Sequence, residues 1–101
     1  MLKLRPNLNY VQEKSQDQLD LQALHRVRSL LVSRRTATIN QIQAFLLEQG
    51  IAVRAGSSSL RNSLFAILDN EISSLMHDIL IGLYEDWLWL DERIDATSTE
   101  I

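Results

Sequence analysis

The sequence predicts an all-α fold: a long antiparallel helical hairpin, coiled-coil-like, with a short third helix at its tip. The first observation is that residues 19–49 contain no glycine or proline and repeat apolar residues every three or four positions. The second is a later apolar stripe at the same helical spacing, made of Met76, Ile79, Leu80, Leu83, Trp87, Leu90 and Ile94. Two long amphipathic helices bury such stripes by folding back on each other.

The first helix is predicted over residues 16–49, after an irregular N-terminal arm at residues 1–14. Ser15 and Gln18 have the spacing of a capping box, in which each side chain bonds the backbone N–H of the other residue. Gly50 suits the left-handed position just past a helix end. Residues 15–101 are therefore expected to form one helical region.

Two further helices are predicted, over residues 60–69 and 74–97. The serines at positions 57–59 are expected to form the turn and N-cap of the short helix. Ser73 or Ser74 can cap the last helix, and the sequence alone leaves both possible.

Composition favours a globular domain in the cytoplasm. The chain of 101 residues has 46% hydrophobic and 23% charged residues and no cysteine, which excludes a disulfide framework and a thiolate zinc site. No apolar run reaches the length of a membrane span, so we expect no membrane contact.

Charge is unevenly distributed along the chain. Residues 21–61 hold six arginines and one acid, Glu48, whereas residues 62–101 hold nine acids and one cation, Arg93. This pattern suits two helices that attract each other, or a basic face for nucleic acid. Mutual attraction is the favoured interpretation, because the net charge of −3 opposes phosphate binding.

Two arginines, Arg28 and Arg35, fall inside the apolar face of the first helix. Asp91 falls inside the stripe of the last helix. If Leu46 lies near Met76, the antiparallel register brings Arg35 beside Trp87 and Arg28 near Asp91. We therefore predict a cation–π contact and an ion pair that hold the hairpin together.

The other arginines and the second tryptophan point elsewhere. Arg26 and Arg34 are the residues that could contact nucleic acid, although their side chains spread around the helix instead of forming one stripe. Trp89 lies on the opposite side of its helix from Trp87. It either packs against its own helix or anchors a second contact surface, and we favour the surface.

No catalytic, cofactor-binding or metal-binding residue is predicted, and no cofactor. The acidic pairs at 85–86 and 91–92 diverge by about 100° around a helix, so their members do not converge on one ion. His25 and His77 have no second histidine three or four residues away and no cysteine.

Several segments together resemble a known family: LHRVRS at residues 24–29, RTATINQI at 35–42, LYEDW at 83–87 and LDERI at 90–94. They are similar to the middle of insertion-sequence transposases that carry a DEDD-type, Holliday-resolvase-like nuclease domain and a C-terminal serine domain. The resemblance covers residues 10–101 and corresponds to the helical segment that links the two catalytic domains.

The resemblance implies a role in DNA transposition and recombination as a truncated, non-catalytic fragment that contributes interdomain linkage and self-association. Its expected partners are another copy or a full-length transposase, with DNA and structured RNA only in the whole enzyme. The opening MLKLRPNLN does not match the family, which fits a truncated or decayed mobile element. The alternative is a small free-standing helical protein that binds or regulates another protein through Trp89 and its acidic face.

Overall fold

Three α-helices make up most of the part of the chain that the structure describes. The computed structural model describes residues 15–53, 57–68 and 72–101, and the predicted arm at 1–14 lies outside the described residues. The helices are α1 (Gln16–Glu48), α2 (Ser57–Leu68) and α3 (Ser74–Glu100). No strand occurs in the described ranges, so the prediction of an all-α fold is confirmed.

Helix α1 begins and ends at the predicted signals. The Ser15 hydroxyl accepts from the backbone N–H of Gln18 at 3.2 Å, and the Gln18 side chain accepts from the Ser15 N–H at 3.0 Å. At the other end Gly50 has φ 80°. The N–H groups of Gly50 and Ile51 bond the carbonyls of Leu47 and Leu46, both at 2.9 Å. This is a Schellman motif, and it ends the helix at Glu48, one residue before the predicted end.

The two later helices are longer than predicted. Helix α2 begins at Ser57 instead of residue 60, so the serines at 57–59 form its first turn and are not a cap that precedes it. Ser73 is the N-cap of α3, because its hydroxyl accepts from the Met76 N–H at 3.0 Å. Helix α3 continues to Glu100 because residues 97–100 contain no glycine or proline to stop it.

The core lies between α1 and α3 and beneath α2. Leu60 and Leu64 of α2 are fully buried, in one apolar cluster with Ile42 and Leu46 of α1 and Leu80 of α3. Each such side chain contributes roughly 1.5–3 kcal/mol through removal of apolar surface from water. Helix α2 thus covers the end of the hairpin at which α1 ends and α3 begins.

The register of the hairpin differs from the predicted one by one helical turn. Arg35 contacts Asp91, and Arg28 contacts Ser98. A step of seven residues toward the start of α1 therefore matches a step of seven residues toward the end of α3, as expected for two antiparallel helices. The same register places Leu46 level with Leu80 and not with Met76. Apolar residues repeat at every turn of α3, so periodicity alone does not distinguish alignments that are one turn apart.

Candidate interaction site

A shared carboxylate joins all three helices. Asp91 of α3 accepts from the Arg35 Nε of α1 through Oδ1 and from an Arg61 Nη of α2 through Oδ2. The three side chains are 27–40% exposed, so solvent only partly screens their charges. We call Asp91, Arg35, Arg61 and the neighbouring Trp87 the charged junction.

Trp87 forms the floor of the charged junction and is fully buried. The guanidinium carbons of Arg61 and Arg35 lie 4.8 and 6.0 Å from its ring centroid, within cation–π range. Tyr84 packs edge-on against the same ring, with centroids 5.9 Å apart and planes at 85°. The structure therefore brings together the predicted neighbours Arg35 and Trp87.

The predicted ion pair between Arg28 and Asp91 is wrong. Arg28 Nε instead donates to the Ser98 hydroxyl at 2.8 Å. In the predicted register Asp91 is level with residue 31, one turn from Arg28, and the one-turn change in register makes it level with Arg35. Arg61 contacts the second carboxylate oxygen, for which the sequence predicts no partner.

Arg61 is the residue that sequence reasoning missed. At 100° per residue it lies only 20° from Leu68 and 60° from Leu64, both buried, so it stands at the edge of the apolar face of α2. The sequence signal for Arg61 is the same as for Arg28 and Arg35: a charge at the apolar face of an amphipathic helix.

A second surface lies on the other side of the hairpin, around Trp89. This side chain is 50% exposed, and the guanidinium carbon of Arg93 lies 5.1 Å from its ring centroid. Trp89 lines a shallow groove of about 340 Å³ together with Arg34, Ala37, Thr38, Asp86 and Leu90. Arg34 and Trp89, predicted separately, thus border one groove, whereas Arg26 is exposed and is not among its lining residues.

The described residues carry no metal-binding group: nowhere among them do three or more histidine, cysteine or acidic side chains come together. None of their helices is both long and apolar enough to cross a membrane. The contacts seen at the charged junction and around Trp89 are ion pairs, cation–π contacts and apolar packing.

Comparison with known proteins gives three similar sequences. The chain is 32% identical over 97 residues to the transposase for insertion sequence element IS1328 of Yersinia enterocolitica. It is 36% identical over 100 residues to the transposase for insertion sequence element IS1111A of Coxiella burnetii, and 36% identical over 101 residues to a probable family 20 transposase of Pseudomonas aeruginosa. These relatives are transposases. The predicted resemblance to insertion-sequence transposases is therefore confirmed.

The similarity covers nearly all of this chain but a minor part of each relative. It includes 96% of this chain in every case, and 29%, 28% and 30% of the three transposases, respectively. No protein-family model matches the chain. No solved structure matches it either.

Proposed function

We propose that this chain is a non-catalytic, truncated helical connector of an insertion-sequence transposase, equivalent to the segment between the nuclease-like and serine domains of such enzymes. The observation that carries the proposal is the similarity over 96% of the chain to less than a third of each transposase. A hairpin with α1 of 33 residues, about 50 Å long, suits a spacer between two domains.

The charged junction supports the connector role because it fixes the geometry of the hairpin. One carboxylate binds cations from two other helices, so α1, α2 and α3 cannot slide independently without breaking an ion pair. A spacer must hold such a fixed register if it is to set the distance between two catalytic domains. Its further proposed roles are self-association and a place beside DNA and structured RNA in the whole enzyme.

A chimera tests the proposed function directly. The matched stretch of the Coxiella burnetii transposase is replaced with this chain, and excision of a marked element is measured in cells. We expect excision to persist, because the chain supplies the fold and the spacing of the segment that it replaces. A control chimera carries Trp87→Ala, which removes the buried ring of the charged junction.

Two outcomes have opposite meanings. Excision in the first chimera and its loss in the control, at equal protein levels, support a connector whose fold is required. If both chimeras are inactive while the parent transposase is active, the chain does not replace the segment and the connector proposal fails.

A further inference from the structure

One side of α1 is apolar and exposed from the first turn of the helix onward. Its apolar members lie within about 80° of one another around the helix: Leu19, Ala23, Val27, Leu30 and Ala37. All five are exposed, and the three largest, Leu19, Val27 and Leu30, are 46%, 39% and 50% exposed. We call these five residues the outer stripe.

The outer stripe leads to Trp89 of α3. Ala37 and Trp89 border the same groove, and Trp89 is 50% exposed. Helix α2 lies on another side of the hairpin, because it contacts α3 through Asp91, which is two residues and therefore about 200° around the helix from Trp89. No element of the described ranges therefore covers the outer stripe.

The N-terminal arm, which lies outside the described residues, has an apolar side of its own in the sequence. Between residues 2 and 10 every even-numbered residue is apolar: Leu2, Leu4, Pro6, Leu8 and Tyr10. Every odd-numbered residue is polar: Lys3, Arg5, Asn7 and Asn9. This alternation places the apolar side chains together on one side of an extended chain. A single extended segment can bury that side only against another surface.

The apolar side of the arm and the outer stripe have the same length. An extended chain advances about 3.3 Å per residue, so it spans about 26 Å from Tyr10 to Leu2. A helix advances about 1.5 Å per residue, so α1 spans about 27 Å from Leu19 to Ala37. Residues 11–14 are enough to reverse the chain before α1, since connections of about two to six residues are common between an extended segment and a helix.

We propose that the N-terminal arm folds back along α1, with residues 2–10 extended over the outer stripe and the start of the chain at Trp89. A step of two residues in an extended chain is about 6.6 Å, which equals the rise of about 4.4 residues of helix. With Tyr10 beside Leu19, the apolar side chains of the arm therefore meet the outer stripe in order. The resulting pairs are Leu8 with Ala23, Pro6 with Val27, Leu4 with Leu30, and Leu2 with Ala37 and Trp89.

The charges on this side of the hairpin favour the arm over a second copy of the chain. Arg34 borders the groove, and Arg93 lies against Trp89. The side of the arm that faces them is uncharged, because Lys3 and Arg5 belong to its other side. A second copy would bring its own Arg34 and Arg93 to the same groove, and its net charge of −3 would repel the first copy. The arm instead holds three cations and one acid, whereas α3 holds seven acids and one arginine, so the two attract each other.

The arm in this position acts as a built-in cover of the exposed side of the hairpin. The covered surface includes Trp89, so the arm competes with any partner that uses this tryptophan. This inference goes beyond the connector role and does not depend on it, because the position of the arm is measured on the chain alone.

Fluorescence quenching of the whole chain by acrylamide tests the far end of the arm. Trp87 is fully buried, so quenching reports on Trp89. Replacing both Leu2→Asp and Leu4→Asp should raise the quenching constant about twofold, because carboxylates on the apolar side stay in water and uncover the indole ring. The double change of Asn7→Asp and Asn9→Asp is the matched control. It adds the same charge on the polar side of the arm and should leave the quenching constant unchanged.

Disulfide formation within one chain tests the near end of the arm. The chain has no cysteine, so a chosen pair can be introduced without interference. A chain with Leu8→Cys and Ala23→Cys should form the disulfide under mild oxidation in dilute solution. A chain with Leu8→Cys and His25→Cys is the matched control, because His25 is exposed and lies about 160° around α1 from Ala23. The control should oxidise much more slowly, since the two Cβ atoms of a disulfide must come within about 4 Å.

Three results, in variants with equal helical circular dichroism, would overturn the inference. One is a quenching constant that is the same in the two aspartate double variants. The second is a pair at positions 8 and 23 that oxidises no faster than the pair at positions 8 and 25. The third is quenching that falls with protein concentration and is indifferent to the arm variants, which would mean that a second copy covers Trp89. The chimera experiment is scored separately, so failure of the connector proposal and failure of this inference are distinguishable.

Discussion

Replacement of Asp91 by asparagine should destabilise the protein by about 2 kcal/mol. The change keeps the shape of the side chain and removes the negative charge that Arg35 and Arg61 share. Ion pairs that are fully exposed contribute about 0–1 kcal/mol, and breaking a buried one costs about 3–5 kcal/mol. The side chains of the two pairs are 27–40% exposed, so solvent screens them in part, and we expect the loss of each pair to lower the free energy of unfolding by about 1 kcal/mol.

The assay is urea unfolding followed by circular dichroism at one fixed protein concentration, since any dimer makes stability depend on concentration. Asp95→Asn is the matched control, because Asp95 is exposed on the same helix and no ion pair of its side chain occurs among the described residues. Its cost should stay within about 0.5 kcal/mol.

A double-mutant cycle shows whether the charged junction causes the loss. Arg61→Met should cost about 1 kcal/mol less in the Asp91→Asn background than in the wild-type protein, because its partner charge is already absent. Equal costs in both backgrounds, or an Asp91→Asn variant as stable as Asp95→Asn, would refute the reasoning.

Three further predictions concern the fold, and the same unfolding assay measures each of them. Leu64→Ala, at a fully buried site, should lower the free energy of unfolding by about 2–5 kcal/mol. Leu47→Ala, at a site that is 68% exposed, should lower it by less than about 0.5 kcal/mol. Similar losses for the two variants would contradict the described core. Gly50→Ala should lower the free energy of unfolding by about 1–2 kcal/mol, because the backbone at Gly50 has φ 80°. Gly82→Ala, in the interior of α3, should instead raise it by about 0.5–1 kcal/mol, because a Cβ there meets nothing within 4 Å. Effects of the same sign would count against the Schellman motif that ends α1. Ser15→Ala should cost about 1 kcal/mol through loss of the capping box, and a neutral result would mean that the first turn of α1 contributes little.

The helices were predictable because their signals are local. The Ser15 cap and the Gly50 stop each depend on residues within one or two turns, and the apolar period indicates which face is buried. The start of α2 was misjudged because serine is acceptable both as a cap and in the first turn of a helix. Local sequence does not choose between those two positions.

The charged junction was only partly predictable because it depends on tertiary register. Arg35 and Asp91 were recognisable as charges on apolar faces, but their pairing requires the alignment of α1 with α3 to better than one turn. The third member, Arg61, comes from a helix whose position on the hairpin no local pattern specifies. The groove that joins Arg34 to Trp89 has the same origin, since its residues lie on two helices and come together only in the folded register.

The contacts that fix the register also differ in how far apart they lie along the chain. Arg61 and Asp91 are 30 residues apart, Arg35 and Asp91 are 56 apart, and Arg28 and Ser98 are 70 apart. The entropy lost on closing a loop grows with the length of the loop, so the contact between the residues closest in sequence forms most readily. Once it has formed, the loop that the next contact must close is shorter. We therefore expect the hairpin to close from its α2 end outward, so that the Arg28–Ser98 contact forms last and opens first.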